Sequence, residues 1–141
     1  MIRLVLDTNV VVSAALSSSG PPFRIIELAN QQLVQLWISA ATFVEYEEVL
    51  SRPKIGVPPG RAKILLAELM RTSEFITPAK TVSISSDPDD NMFLECAEAA
   101  KAHYLVTGNI RHFPERWKYT KIVTPRQFVD LLGSPPRKIR R

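Results

Sequence analysis

Oxygen-bearing side chains stand in this chain where apolar runs stop. "RLVLDTN" delivers Asp7, Thr8 and Asn9 directly after four mostly apolar residues, and "YLVTGN" ends on Thr107 and Asn109. "DPDD" sets Asp87, Asp89 and Asp90 within four positions, and Glu45, Glu47 and Glu48 crowd another segment. Carboxylates held close repel and raise one another's pKa. A helix N-terminus supplies about +0.5 charge, enough to help one acid but not several. A divalent cation removes the conflict, and an all-oxygen set favours the hard ions Mg²⁺ or Mn²⁺. Zinc is not expected, because Cys96, His103 and His112 lack ligand spacing. A hard ion of this kind suits phosphodiester hydrolysis, where it activates water and neutralises phosphate charge.

Such a site needs elements to position it. Residues 2–6 read as a strand covered on both faces, and 9–17 continue as a helical segment. "SSSGPP" (17–22) is a loop and 22–32 a helix, with Pro22 near its first turn and Phe23, Ile26 and Leu28 apolar. Residues 33–38 form a second strand. Ser39 is a cap for a helix over 40–52, and 53–60 is a loop. Residues 61–73 carry the 3.6-residue period of an amphipathic helix. Residues 74–78 suggest a short strand and 79–86 a polar connection. Asp87 as cap and Pro88 in the first turn open a helix to about Ala102. A strand over 104–109, a turn or short helix over 112–117, a strand in the 120s and a helix over 125–133 complete the pattern. Pro125 starts that last helix and Gly133 stops it.

Strands alternating with helices predict a three-layer α/β/α sandwich around a central, mainly parallel twisted sheet. In such sheets, ligands sit outside the carboxyl ends of the strands. A helix leading to a parallel strand begins near that edge, so topology alone places Asp7, Asp90 and Asn109 together.

Each residue also has a plainer explanation. Asp7 can cap the helix after it. Cap and dipole account for Asp87 and partly for Asp89, but leave Asp90 over. Glu45, Glu47 and Glu48 fit a solvated helix face; the stripe of Phe43, Tyr46 and Leu50 brings Glu47 nearest to the buried side. Asn109 is good turn chemistry, and His112 reads as a surface or packing histidine.

The totals bound the rest. At 141 residues the chain is one domain, expected over 1–133, followed by a basic tail over 134–141. Four of the 18 basic residues lie in the terminal "RKIRR", so the remaining 14 match 14 acidic residues and the body is neutral. Pro135-Pro136 lead into the tail, which is expected to be extended and mobile. A lone cysteine, Cys96, precludes an internal disulfide and points to a cytoplasmic setting. No apolar run approaches the ~20 residues of a membrane helix, so no membrane association is expected. Dinucleotide binding is disfavoured because no G-x-G-x-x-G follows the first strand. An acidic phospho-receiver pocket would want a lysine after "YLVTGN", where Arg111 is the nearest cation.

Taken together, "LVLDTNVVVSA", "SAATFVEYEEVLSRPKI" and "SDPDDNMFLECAEAAKAHYLVTGNIRHFP" resemble, in order and spacing, the motifs of the PIN domain family. The match runs from residue 2 to about 132. Its wording, with "RPKI" and "VTGNIRHFP", is most similar to the bacterial, VapC-like subgroup described as toxins of toxin–antitoxin pairs. The resemblance implies a metal-dependent endoribonuclease using Mg²⁺ or Mn²⁺. It implies metal-binding, catalytic carboxylates at Asp7, Glu45 and Asp90, with Asp90 preferred to Asp89 by its spacing to the following helix. Asn109 would be a weaker ligand. Thr8 and Asn9 would shape the loop, Asp87 would be a cap or outer support, and Thr107 would be a polar support. An RNA substrate, an antitoxin protein and a homodimer follow from the same resemblance. Arg24, Arg52, Arg111 and Arg116 are candidates to meet the RNA backbone.

One departure matters. Many members of the family carry a fourth acid where this chain has Asn109. An asparagine offers a neutral carbonyl oxygen and removes one negative charge, which weakens a second metal position. The alternative expectation is therefore a catalytically weakened PIN-like module that binds nucleic acid or regulates.

Overall fold

The structure, a computed structural model, describes residues 1–83 and 88–133, apart from the side chains of residues 88 and 89. The expected basic tail, 134–141, lies outside the described residues. Six strands are present among them: β1 (Arg3–Leu6), β2 (Gln35–Ile38), β3 (Glu74–Phe75), β4 (Tyr104–Val106), β5 (Arg116–Trp117) and β6 (Thr120–Val123). They form one sheet in the order β3-β2-β1-β4-β6-β5. Every neighbouring pair is parallel except β5 with β6. The helices are α1 (Thr8–Leu16), α2 (Pro21–Asn30), α3 (Ala40–Leu50), α4 (Pro59–Thr72), α5 (Pro88–Ala100) and α6 (Pro125–Leu131). This is the expected α/β/α arrangement with a mainly parallel central sheet.

The central strands are buried because they carry almost nothing but apolar residues. Leu4, Val5, Leu6, Leu105 and Val106 are at most 2% exposed, as a strand covered by helices on both faces requires. α5 lies against β1, β2 and β4, while α2 packs on α1, α4 and α6. Phe128 of α6 is fully buried and meets the Tyr104 ring edge-on at 5.6 Å. Truncating such a ring to alanine costs about 3–5 kcal/mol, so this contact anchors α6 to the strand carrying Thr107.

Caps set where the helices start. Ser39 Oγ accepts from the Thr42 amide at 3.1 Å, and Thr42 Oγ1 accepts from the Ser39 amide at 3.0 Å, a reciprocal capping box. Thr124 and Gln127 make the same box at α6, a cap that the Pro125 signal did not reveal. Gly133, expected to stop α6, has φ +76°, the left-handed conformation that glycine reaches without a Cβ clash.

Several boundaries differ from expectation. The strand expected over 33–38 begins at Gln35. Gln32 turns with φ 62° and the Leu33 amide bonds back to Leu28 O, which spends residues 31–34 on leaving α2. The strand expected over 104–109 ends at Val106. Helix α4 begins at Pro59, two residues before the expected start, because Pro59 itself serves in the first turn. Residues 112–117 do not form one turn. A 3-10 turn covers Ile110–His112, and β5 follows. Trp117 Nε1 donates to Glu98 Oε1 at 3.2 Å, and Lys118 turns with φ 54°, so a two-residue edge strand folds back on β6. The cap expected from Asp87 lies outside the described residues.

Candidate functional site

Register places the site. Leu6 is paired with Val106 across β1 and β4, so Asp7 and Thr107 are the next residues on adjacent parallel strands. Both remain tied to the sheet, with the Asp7 amide donating to Val106 O at 2.9 Å and the Thr107 amide to Val123 O at 2.9 Å. The two side chains meet: Thr107 Oγ1 donates to Asp7 Oδ2 at 2.7 Å. Asp7 Oδ1 accepts from the Thr8 amide at 2.7 Å, so Asp7 also caps α1. The capping explanation is correct and incomplete, because one oxygen caps while the other is held by a residue a hundred positions away.

The loop after β4 is locked to the first turn of α1. The Gly108 amide donates to Asn9 Oδ1 at 3.0 Å, and the Asn109 amide donates to Thr107 Oγ1 at 3.0 Å. Thr8, expected to shape this loop, is 7% exposed, and its Oγ1 is buried without a hydrogen-bond partner among the described residues. A buried hydroxyl of that kind is uncommon away from ligands and water.

Asp90 reaches the same edge from the first turn of α5 and is 9% exposed. Its charge acts on Asp7. Burial, first, and then Asp90 push the Asp7 carboxyl above its usual range, against the lowering effects of Thr107, Thr8 and His112. His112 comes from the 3-10 turn, with Nδ1 3.9 Å from Asp90 Oδ2. The sequence marked His112 as a surface or packing residue. It is 59% exposed at the side chain yet stands in the site, and only the turn geometry shows this. Asn91, beside Asp90 and equally buried, carried no sequence signal.

The three glutamates separate clearly. Glu47 and Glu48 are exposed, and Glu48 pairs with Arg52 at 3.4 Å, whereas Glu45 is half-buried. The helical stripe did not select among the three, although Glu47 lay closest to it. Both Glu45 and Glu47 flank the buried face of α3, and the packing of that helix, which periodicity does not report, turns the Glu45 side inward. Tyr46, next to Glu45, is fixed at the site's rear, where its hydroxyl donates to Leu6 O at 2.5 Å. Burial, then Cys96 and Asp7, hold the Tyr46 phenol far above its usual pKa, so it stays a neutral donor. Cys96 is buried, with its thiol pushed up to about 12, and is inert as a ligand.

Among the described residues, no three His, Cys, Asp or Glu side chains gather within one ion's ligand shell. The donor set nevertheless suits a hard divalent ion. Mg²⁺ is usually bound through one or two carboxylates plus waters and substrate phosphate, and Asp7 and Asp90 supply two buried carboxylates in each other's field. A cation there would offset both the burial and the mutual repulsion. Asn109 is exposed at the rim. Asp87 lies outside the described residues.

The expected basic contacts disperse. Arg24 pairs with Glu27 at 3.6 Å and Arg52 with Glu48, both on exposed helix faces. Arg116 lies on the edge strand, and Arg111 shares the 3-10 turn with His112.

Residues 3–111 match the PIN domain family model. The chain belongs to the PIN domain family. An uncharacterized protein of Methanocaldococcus jannaschii is 28% identical, with the alignment spanning 92% of this chain and 90% of that one. Among solved structures, VapBC2 from Rickettsia felis, bound to a DNA fragment from its promoter, matches with a TM-score of 0.59. The identity is 18%, over 86% of this chain and 97% of that chain. At that identity the likeness speaks for the fold. No helix among the described residues is long and apolar enough to cross a membrane.

Proposed function

We propose that the protein is a cytoplasmic, metal-dependent endoribonuclease, the toxin of a toxin–antitoxin pair. The observation that carries the reading is Asp7: buried, fastened by Thr107 through one oxygen, and sharing its field with Asp90. Asp7, Glu45 and Asp90 are the catalytic, metal-holding carboxylates, and Asn109 is a weaker oxygen donor. Membership of the PIN family and the fold likeness to a VapBC complex support an antitoxin partner, and the family resemblance adds a homodimer.

When bound, Mg²⁺ or Mn²⁺ would lower the pKa of a water and neutralise charge on the phosphate. The residues of the chain do the rest. Thr107 and the Thr8 amide fix the Asp7 carboxylate so that its direction does not depend on the ligand. Asp90 approaches from a separate element, the first turn of α5, at the carboxyl edge of the sheet. No ribose 2′-hydroxyl is needed, so the products carry 5′-phosphate and 3′-hydroxyl ends. Asn109, which supplies a neutral oxygen in place of an acid's charge, favours a second reading, a catalytically weakened PIN-like module that binds nucleic acid or regulates.

The test is incubation of a mixed RNA pool with purified, antitoxin-free protein in Mg²⁺, Mn²⁺ or EDTA, alongside Asp90→Asn. Cleavage that needs metal and disappears in the variant is expected. Cyclic-phosphate ends would overturn the mechanism, and RNA binding without cleavage would establish the second reading.

A further inference from the structure

Beside Asp7 lies a concavity of about 180 Å³ between α1, the start of α2, the loop after β4 and the start of α6. Its polar wall is Asn9, Ser13 and Asn109, and its apolar wall is Val10, Pro22 and Pro125. No cation lines it, which argues against a phosphate subsite. It is smaller than the ~300–1,000 Å³ of drug-sized ligand pockets.

The polar groups have spare capacity. Asn9 Oδ1 accepts from the Gly108 amide, which orients the side chain and leaves Nδ2 without a partner among the described residues. The amide of Asn9 lies directly across Gly108: a Cβ at that position would sit 3.4 Å from Asn9 Oδ1 and 3.6 Å from Nδ2. The side-chain amide of Asn109 and the hydroxyl of Ser13 make no hydrogen bond among the described residues either, and both residues are exposed. Two prolines beside two carboxamides is a lining whose chemistry can receive a nucleobase: apolar rings can lie against its faces and amides can read its edge, as Asn does with bidentate donor–acceptor pairs. RNA is read by such splayed single-stranded bases.

We propose that this concavity is a base-binding subsite that holds the nucleobase adjacent to the phosphodiester at Asp7. The proposal rests on the ribonuclease reading for its placement next to a scissile bond. It gives the asparagine at 109 a task that an acid would do less well, since a carboxylate accepts but does not donate. Asn9, in the first turn of α1 after Asp7, and Asn109, in the loop after Thr107, both line the pocket, so a base seated there fixes the register of the backbone against the carboxylates.

The experiment uses short oligoribonucleotides carrying 2-aminopurine at successive positions, with Ca²⁺ replacing Mg²⁺ so that bound RNA stays intact. One position is expected to change in fluorescence with wild-type protein and to lose that change in Ser13→Phe, which fills the pocket from the exposed side of α1. Ser13→Leu, a smaller plug, serves if the phenylalanine variant does not fold. In parallel, cleavage ends from a randomised RNA pool are sequenced with Mg²⁺. The wild-type base preference beside the cut is expected to relax by about 5-fold or more in the plugged variants, the lower end of what a paired base edge contributes. Cleavage with the same base profile in wild type and variants overturns the subsite and leaves the nuclease standing. No cleavage, with a fluorescence response that the plug removes, overturns the nuclease and supports the subsite as an RNA contact. A response absent at every position, or unchanged by the plugs, overturns the subsite.

Discussion

At the amino end of the β1–β4 pair, the Arg3 amide donates to His103 Nδ1 at 2.9 Å and the His103 amide returns a bond to Arg3 O at 2.8 Å. The Arg3 guanidinium reaches Ala100 O and Lys101 O, and the Lys121 amide bonds His103 O. Polar groups there are consumed by the protein itself. At the carboxyl end of the same two strands, Asp7 is also hydrogen-bonded, but its charge is buried beside that of Asp90 and the Thr8 hydroxyl goes unmatched. The same parallel pair thus ties up polar groups at one end and gathers two buried carboxylates at the other. The difference supports the carboxyl edge as the proposed site without reference to any relative.

Substitution at the open end should therefore act on activity and at the closed end on stability. The largest effect expected is at Asp7. Asp7→Asn retains a good cap residue and an oxygen for Thr107, yet removes the charge. RNA cleavage should fall by more than the roughly 10–100-fold typical of an outer partner of a metal ligand. Asp7→Ala should be equally inactive and about 1 kcal/mol less stable than Asp7→Asn, because it also loses the cap. Urea unfolding of the two variants separates charge from cap, and equal stability would mean that Asp7 does not hold α1.

Thr107→Val comes next. It keeps the branched shape that packs in a strand and deletes the donor to Asp7 Oδ2, so cleavage should drop about 10–100-fold with the fold intact by circular dichroism. Full activity would show that the carboxylate is directed by something other than this bond. Arg3→Ala is the counterpart at the closed end. Losing its hydrogen bonds from a partly exposed position should cost about 1 kcal/mol, a fall in Tm of roughly 3–5 °C, while cleavage at saturating RNA stays unchanged. A loss of cleavage without a fall in Tm would erase the distinction between the two edges.

The parallel sheet was legible from the alternation of strands and helices, and topology placed Asp7, Asp90 and Asn109 at one edge by the rule that parallel strands put their carboxyl ends together; Asn109 stands exposed at the rim of that edge, and Thr107 is the residue beside Asp7. Glu45 was singled out only through the family motif, since periodicity did not select among the three glutamates; which flank of a helix turns inward is decided by tertiary packing. Neither the entry of His112 into the site nor β5 was legible. Both depend on a tight 3-10 turn and a left-handed lysine that leave no composition signal. The Thr107–Asp7 bond could be anticipated as a support but not as a contact, because it depends on a register that only the paired strands fix.

The smallest expected effect is on pH dependence, and it has opposite signs at the two ends. His103 accepts the Arg3 amide at Nδ1, and burial, followed by the nearby Arg3 charge, lowers its pKa. The unfolded chain takes up that proton near pH 6.5 and the folded chain only at lower pH. Between the two, the unfolded state binds more protons, so this stabilisation is present above about pH 6.5 and is lost as pH falls. His103 is exposed, and the loss is small. Asp7 does the reverse: its raised pKa lets the folded state bind a proton before the unfolded one does. In metal-free protein its contribution to stability is therefore full below about pH 3.9 and is lost as pH rises through the folded value. Unfolding free energies measured in EDTA from pH 4 to 7.5 should resolve both. His103→Gln should flatten the acid-side decline. Asp7→Asn should steepen it, because a compensating gain disappears, and should raise stability at neutral pH relative to wild type. Added Mg²⁺ should reproduce that neutral-pH gain in wild type and have no effect on Asp7→Asn. If both variants shift the profile in the same direction, the buried carboxylate does not carry the uncompensated charge on which the contrast between the two edges rests.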